Sequence, residues 1–158
     1  VARHAHAQRL LTRQLHTDSF IREYLAVTEG VPAQPEGVID APIARLGAGA
    51  KRAVCPGGQR AVTRYRVEAA LRDISLVRLF PVTGRTHQLR VHMAHIGHPL
   101  LGDLVYGHKR PEKGLSGQCL HARALRFLHP RTGELVTFTC PLPDYFQDVL
   151  ARLGPPVG

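Results

Sequence analysis

The stretch that most restricts the fold is residues 84–107, which read GRTHQLRVHMAHIGHPLLGDLVYG. Thr86 can accept a hydrogen bond from a free amide of a first helical turn, and Gly97 suits the left-handed position after a last turn. Pro99 then prevents the helix from continuing. Between these signals, three apolar side chains recur at the spacing of one helix face: Leu89, Met93 and Ile96. The segment therefore predicts a short amphipathic helix between two turns.

Polar and cationic side chains gather at the start of this predicted helix: Arg85, Thr86, His87 and Gln88. Arg90 lies between two apolar residues, so we expect its guanidinium to be partly buried and to need a carboxylate or phosphate partner. A helix start of this composition favours anion binding. The alternatives are a capping and solvation role for the cluster and a structural salt bridge within the chain for Arg90.

The histidines of this region do not predict a metal centre. His87, His92, His95 and His98 are five, three and three residues apart. This spacing does not place three imidazoles on one helix face, and no carboxylate lies among them as a base. We expect several of them to be polar-face or half-buried, hydrogen-bonded residues. The sequence also lacks a P-loop, a GxGxxG motif and a Ser-His-Asp order, which leaves NTPase, dinucleotide-binding and hydrolase functions without support.

The composition favours a polyanionic partner. The net charge is +9 and the isoelectric point is about 10.3, and a basic surface gains affinity for nucleic acid by counterion release. The charge does not distinguish RNA from DNA or an anionic membrane, and a merely basic soluble surface is the alternative. The 158 residues suit one domain, and no apolar run is long enough for a membrane span. Three cysteines without paired spacing fit a reducing cytosol.

Patterns along the chain predict an α+β fold. Strand-like runs occupy residues 20–27, 61–69, 74–80, 119–128 and 135–140, the last four as two hairpins, and helical patterns occupy residues 5–16 and 144–153. In the first strand Tyr24 shares a face with Arg22 and Ala26. Residues 29–59 are rich in Gly, Pro and Ala and predict a long excursion within the domain that exposes Lys51 and Arg52.

The segment 84–107 resembles the signature of the RluA-type pseudouridine synthases, which isomerise uridine to pseudouridine in RNA. Six further motifs resemble that family in the same order: REYLAV at 22–27, IDAPI at 39–43, AVTRYRV at 61–67, LHA at 120–122, HPRTGE at 129–134 and CPLP at 140–143. The resemblance implies a mixed, mostly antiparallel sheet with the active cleft across its middle. It also implies that residues 1–158 are one domain, the C-terminal part of the catalytic domain.

The resemblance implies roles for individual residues. Arg90 matches the basic residue that pairs with the family's nucleophilic aspartate. Tyr24 matches the tyrosine that stacks on the target uracil and helps to remove the C5 proton. Asp103, in its tight loop, is expected to bind its own backbone amides. The residues expected to contact RNA are Arg22, Arg85, Thr86, His87 and Gln88.

The family's nucleophilic aspartate belongs to an HRLD-x-x-TSG motif, which this sequence does not contain. We therefore expect the aspartate upstream of this chain, and we expect the chain alone to be inactive. The predicted function is an RNA pseudouridine synthase that acts on rRNA or tRNA in the cytoplasm, as a monomer, with no metal or cofactor. A non-catalytic RNA-binding module that has lost the nucleophile is the alternative, and the reading frame upstream of Val1 would distinguish the two.

Overall fold

The computed structural model describes residues 20–70, 73–108, 112 and 114–152, together with residues 5, 6 and 9. The strands are β1 (Ile21–Glu29), β2 (Glu36–Asp40), β3 (Ile43–Arg45), β4 (Arg52–Val54), β5 (Val62–Ala70), β6 (Ile74–Pro81), β7 (Leu120–Leu128) and β8 (Leu135–Thr139), and two helices are α1 (Gln88–His95) and α2 (Asp144–Arg152). A six-stranded sheet has the order β2-β5-β6-β1-β7-β8, and β3 and β4 form a separate pair. All these pairings are antiparallel, which confirms the predicted α+β class.

The central strand of the sheet is β1, which is hydrogen-bonded to β6 on one side and to β7 on the other. Leu25 and Val27 point to the face that α2 covers, whereas Tyr24 and Ala26 point to the face that α1 covers. This alternation confirms the predicted faces of the strand. The register against β7 shifts between Glu23 and Tyr24, so Tyr24 lies directly after a bulge.

Each helix covers one face of the sheet with the apolar side that its sequence predicts. α1 buries Leu89 and Met93 against β1 and β6, and α2 buries Phe146 and Val149 against β1. Gly97, with φ of 89°, follows α1 in the predicted left-handed conformation. The core therefore has three layers, helix on sheet on helix, with β1 in contact with both helices.

Both predicted hairpins are confirmed, because β5 pairs with β6 and β7 pairs with β8. The prediction for residues 29–59 was incomplete. This segment contains the edge strand β2, which pairs with β5, and the small β3–β4 hairpin. Of the helix predicted at residues 5–16, residues 5, 6 and 9 are helical, and the others lie outside the described residues.

One prediction about α1 was wrong. Thr86 does not cap the helix, because the residue before the first helical turn is His87, which has φ of 57° and makes no capping bond through its side chain. His92 is hydrogen-bonded, as expected for several histidines of this segment. It is fully buried, with Nδ1 2.8 Å from Thr63 Oγ1 and Nε2 2.9 Å from the Ala41 carbonyl oxygen. The two ring nitrogens thus connect α1 to β5 and to the segment between β2 and β3.

Candidate active site

A pocket of about 410 Å³ opens where the end of β6 leads into the start of α1, beside the middle of the sheet. It lies across β1, as expected for a cleft at the centre of the fold. Six of the residues predicted as catalytic or RNA-binding line it together: Arg22, Tyr24, Arg85, His87, Gln88 and Arg90. Thr86 does not line it and instead lines a neighbouring concavity with the β3–β4 hairpin. Residues that are far apart in sequence therefore meet in one pocket.

Tyr24 forms one wall of the pocket from the central strand. Its backbone is paired with Leu79 of β6 and Ala122 of β7, so the position of its ring is fixed from both sides. The side chain is half-buried, and within the described part of the chain its hydroxyl has no hydrogen-bond partner. The ring is thus a fixed, partly exposed aromatic surface with a free polar end.

Arg90 lies opposite on α1 and is held by Asp103. Arg90 Nε donates to Asp103 Oδ2 at 2.9 Å, and Nη2 donates to Oδ1 at 3.0 Å. The Asp103 side chain is fully buried, and that of Arg90 is 13% exposed. Asp103 Oδ1 also accepts the backbone amides of Val105 and Tyr106 at 3.0 and 3.1 Å, which confirms the local bonding predicted for this carboxylate.

The pKa values of this ion pair move apart, as expected for a charged pair. The hydrogen bonds from Arg90 to Asp103 raise the pKa of the Arg90 guanidinium, against the effect of burial. Burial alone raises the pKa of Asp103, but the hydrogen bonds from Arg90 and from the two backbone amides lower it below its ordinary value. The two groups are therefore ionised together at neutral pH.

Tyr106 connects this ion pair to His87. The Arg90 guanidinium carbon lies 5.0 Å from the centre of the Tyr106 ring, a cation–π distance. The Tyr106 hydroxyl accepts the Arg52 amide at 2.9 Å and shares a hydrogen bond of 2.7 Å with His87 Nδ1. Burial and the nearby cations Arg90 and Arg52 lower the pKa of His87, so we expect a neutral imidazole at neutral pH.

Gln88 connects the start of α1 to β5 through all the hydrogen-bonding groups of its amide. Its Oε1 accepts the Thr83 hydroxyl at 2.6 Å and the Arg85 amide at 3.0 Å. Its Nε2 donates to the Val62 carbonyl at 2.9 Å and to Thr63 Oγ1 at 3.0 Å. Gln88 is buried, so its amide has no free group for RNA in this structure.

The remaining cations make the pocket electropositive. Arg22 Nη2 donates to the Pro81 carbonyl at 3.3 Å, and its buried Nε has no partner among the residues described. A Cβ at Gly84 would lie 2.9 Å from Arg22 Nη1, so glycine there leaves room for the guanidinium. Arg85 Nε donates to the Arg60 carbonyl at 2.8 Å. No carboxylate among the described residues lines the pocket, which favours an anionic occupant.

The contact of Asp103 with Arg90 and that of Tyr106 with His87 were not predicted from the sequence. Asp103 and Tyr106 lie in the final GDLVYG of the segment 84–107, so a signal was present. Alternating charge and aromatic residues after a turn do not specify which helix the loop contacts. No helix in the described part of the chain is long and apolar enough to cross a membrane, and no group of three or more His, Cys, Asp or Glu side chains there could hold a metal ion.

Comparisons with known proteins agree on one family. A family model described as RNA pseudouridylate synthase matches residues 1–95. The chain is 46% identical over 145 residues to the uncharacterized RNA pseudouridine synthase YjbO of Bacillus subtilis, covering 91% of the chain and 50% of that protein. It is 45% identical over 168 residues to ribosomal large subunit pseudouridine synthase D of Haemophilus influenzae, covering 97% of the chain and 51% of that protein.

A solved structure agrees with the sequence matches. The human RNA pseudouridylate synthase domain containing 4 superposes with a TM-score of 0.73 at 29% identity, over 92% of this chain and 66% of that one. The chain spans about half the length of the curated relatives it matches. The match therefore covers almost all of this chain but only part of those proteins.

Proposed function

Because the chain belongs to the RNA pseudouridylate synthase family, we propose that it forms the C-terminal part of a catalytic domain that isomerises uridine to pseudouridine in rRNA or tRNA. The observation that carries this proposal is the pocket itself. Tyr24 and Arg90 line it together, although they lie on β1 and α1 and are far apart in sequence. Its volume of about 410 Å³ lies within the range of about 300–1,000 Å³ that is usual for ligand pockets.

Arg90 is proposed to hold the nucleophilic aspartate, which we place outside this sequence. A guanidinium has about five N–H donors, and Asp103 uses two of those of Arg90. The remaining donors have no acceptor within the described residues and belong to a side chain that lines the pocket. An aspartate that enters the pocket can accept hydrogen bonds from these donors, which keep its carboxylate ionised and fix its orientation. Asp103 is then a positioning residue, because it orients Arg90 and does not itself line the pocket.

Tyr24 is proposed to stack on the flipped uracil. Chemistry on a base in folded RNA requires the base to leave its stack, and an aromatic surface replaces the lost stacking. The aspartate attacks C1′ as the C1′–N1 bond breaks, the uracil rotates, and C5 then attacks C1′, which breaks the bond to the aspartate and releases it as a carboxylate. The proton on C5 then leaves and N1 regains one, so the isomerisation needs no oxidant and no cofactor. The free hydroxyl of Tyr24 is placed to take part in that proton transfer.

The cations around the pocket are proposed to bind the RNA backbone. Arg22 and Arg85 line the pocket without a carboxylate partner among the described residues, so both guanidinium groups can attract a phosphate. His87 lines the same rim. Thr86 faces the adjacent concavity and is proposed to contact the backbone from there. Gln88 is left out of this set because its amide is fully hydrogen-bonded within the chain.

One observation favours a second candidate, an RNA-binding module without catalysis. Arg90 already has a carboxylate partner in Asp103, and no carboxylate of the described residues lines the pocket. A protein with this pocket and no incoming aspartate would bind RNA and leave the uridine unchanged.

The test is tritium release from RNA labelled at C5 of uridine, with the full-length protein and with residues 1–158 alone. We expect the full-length protein to release tritium and the isolated chain to release none. Binding of RNA by the full-length protein without any tritium release would favour the binding module. Release by the isolated chain would place the nucleophile among its own carboxylates and overturn the role given to Arg90.

We also propose that the protein acts as a monomer in the cytoplasm. The three cysteines are free thiols, which fits a reducing compartment. Sedimentation equilibrium of the full-length protein and fractionation of cells test these two statements. A stable dimer, or recovery with the membrane fraction, would contradict them.

A further inference from the structure

The small β3–β4 hairpin carries two arginines at directly opposed positions. Arg45 and Arg52 are partners in the register of the pair, so their side chains leave the same face. A concavity of about 350 Å³ lies against this face. Its lining comes from the hairpin, the turn after it and the segment before α1: Ile43, Ala44, Arg45, Arg52, Gly57, Gly58, Gln59, Arg85 and Thr86.

Opposed like charges destabilise a strand pair unless another group compensates them. Arg45 donates through Nε to the Gly49 carbonyl at 2.8 Å, and Arg52 donates through Nη1 to the Ala50 carbonyl at 2.7 Å. These acceptors are neutral, so they order the turn and leave both charges uncompensated. No carboxylate of the described residues lines the concavity, and Arg85 brings a third cation to it. The arrangement is that of an anion site.

The concavity adjoins the active-site pocket. Arg85 lines both, and its guanidinium is held in place by the bond from Nε to the Arg60 carbonyl. Tyr106 joins the two at a second point, because its hydroxyl bonds both the Arg52 amide and His87 Nδ1. An RNA strand carries one phosphate for each nucleotide, so its successive phosphates could contact the cations of both pockets. A single free phosphate would occupy only one pocket.

We propose that the β3–β4 concavity binds the phosphodiester backbone of the RNA strand next to the target uridine, with Arg45 and Arg52 as its phosphate ligands. This inference rests on the proposed function for the identity of the strand. It adds a second subsite to the pocket that contains Tyr24 and Arg90. This subsite does not select an RNA sequence, because it pairs arginine side chains with phosphates of the RNA backbone.

The experiment compares Arg45→Gln/Arg52→Gln with Arg64→Gln/Arg131→Gln in the full-length protein. The second pair removes the same charge from exposed positions on β5 and in the β7–β8 turn, and neither residue lines the two pockets. Binding is measured by fluorescence anisotropy over a series of salt concentrations. The probes are an oligouridine of about 20 nucleotides, longer than usual single-strand site sizes, and fluorescently labelled uridine, which carries no phosphodiester. Thermal unfolding of each variant is measured in parallel.

We expect the Arg45/Arg52 variant to bind the long oligouridine about tenfold more weakly than wild type, equivalent to about 1.4 kcal/mol. Its log–log salt slope should be smaller by about 0.7 for each phosphate that no longer pairs with an arginine. The Arg64/Arg131 variant should stay within about twofold of wild type, since only distant charge is removed. Both variants should bind uridine like wild type, because uridine carries no phosphate for the second subsite. The Tm of the Arg45/Arg52 variant should stay close to that of wild type, because the removed repulsion offsets the lost bonds to the Gly49 and Ala50 carbonyls.

Equally weakened binding in the two double variants would overturn the subsite and reduce the effect to net charge. An equal weakening of uridine binding would also overturn it. If the Tm falls so far that partial unfolding explains the weaker binding, the arginines have a structural role and the subsite is overturned. If wild type binds neither probe, the proposed function fails together with the inference. If wild type binds and isomerises RNA while the Arg45/Arg52 variant matches it, the inference alone fails.

Discussion

Replacing Asp103 with asparagine removes the charge that compensates Arg90 while keeping the shape of the side chain. Asp103 is fully buried, and its two oxygens accept two bonds from Arg90 and two from backbone amides. The asparagine oxygen can keep some of these bonds, but its NH₂ group then faces guanidinium donors. Arg90, which is only 13% exposed, is left without a compensating charge among the described residues.

The expected loss of stability follows from this burial. Breaking a buried ion pair by removing one partner costs about 3–5 kcal/mol. Because Arg90 is partly exposed to the pocket, we expect the lower end, about 3 kcal/mol. For a protein of this size that corresponds to a fall in Tm of about 6–12 °C. Urea denaturation at neutral pH measures the free energy of unfolding, and Asp148→Asn, an exposed change on α2, is the matched control.

The pH dependence gives a second, independent readout. The folded-state pKa of Asp103 is lowered, so its contribution is complete above the unfolded-state pKa of about 3.9 and is lost as pH falls through the folded-state value. The stability gap between wild type and Asp103→Asn should therefore narrow in acid, below about pH 4. A loss of less than about 1 kcal/mol at neutral pH, or a gap that stays constant in acid, would refute the view that Asp103 compensates Arg90.

Three further predictions concern single side chains. In the full-length protein, Tyr24→Phe should bind RNA like wild type but release C5 tritium about 10²–10⁴-fold more slowly, the range for loss of a general acid or base; normal release would leave the hydroxyl without a role. Tyr106→Phe should lower the free energy of unfolding by about 1 kcal/mol in urea, because His87 Nδ1 and the Arg52 amide lose their partner; an unchanged value would contradict this. Iodoacetamide at mildly alkaline pH should label the exposed Cys140 and not the buried Cys119, whose thiol pKa is raised to about 12; mass spectrometry decides, and early labelling of Cys119 would show that the core opens.

The elements with strong local periodicity could be predicted from the sequence, and those without it could not. The β5–β6 hairpin follows from alternating Val, Thr and Tyr residues, and the buried side of α2 follows from the spacing of Phe146 and Val149. β3 and β4 have three residues each among Gly, Ala and Pro, too few for any period to be visible. Such strands exist because tertiary contacts hold them.

The residues that line the candidate site could be predicted from the sequence, but the hydrogen bonds between them could not. Of the predicted catalytic and RNA-binding residues, all but Thr86 line one pocket. Thr86 was a reasonable cap by local rules, but the side chain of Gln88 takes the Arg85 amide and the Thr83 hydroxyl instead. The partner of Arg90 lies 13 residues away across a turn. No local pattern specifies a contact that depends on how a loop folds back over a helix.

The amide of Gln88 has a mechanical consequence for the pocket. It fastens the first turn of α1 to β5, and β5 is bonded through β6 to β1, the strand that carries Tyr24. Both walls of the pocket thus belong to one hydrogen-bonded framework, and bringing them closer would require buried bonds to break. The distance between Tyr24 and α1 is therefore held constant by these hydrogen bonds. Under the proposed function, the RNA must therefore extrude its base to reach Tyr24, because the walls of the pocket do not close around the base.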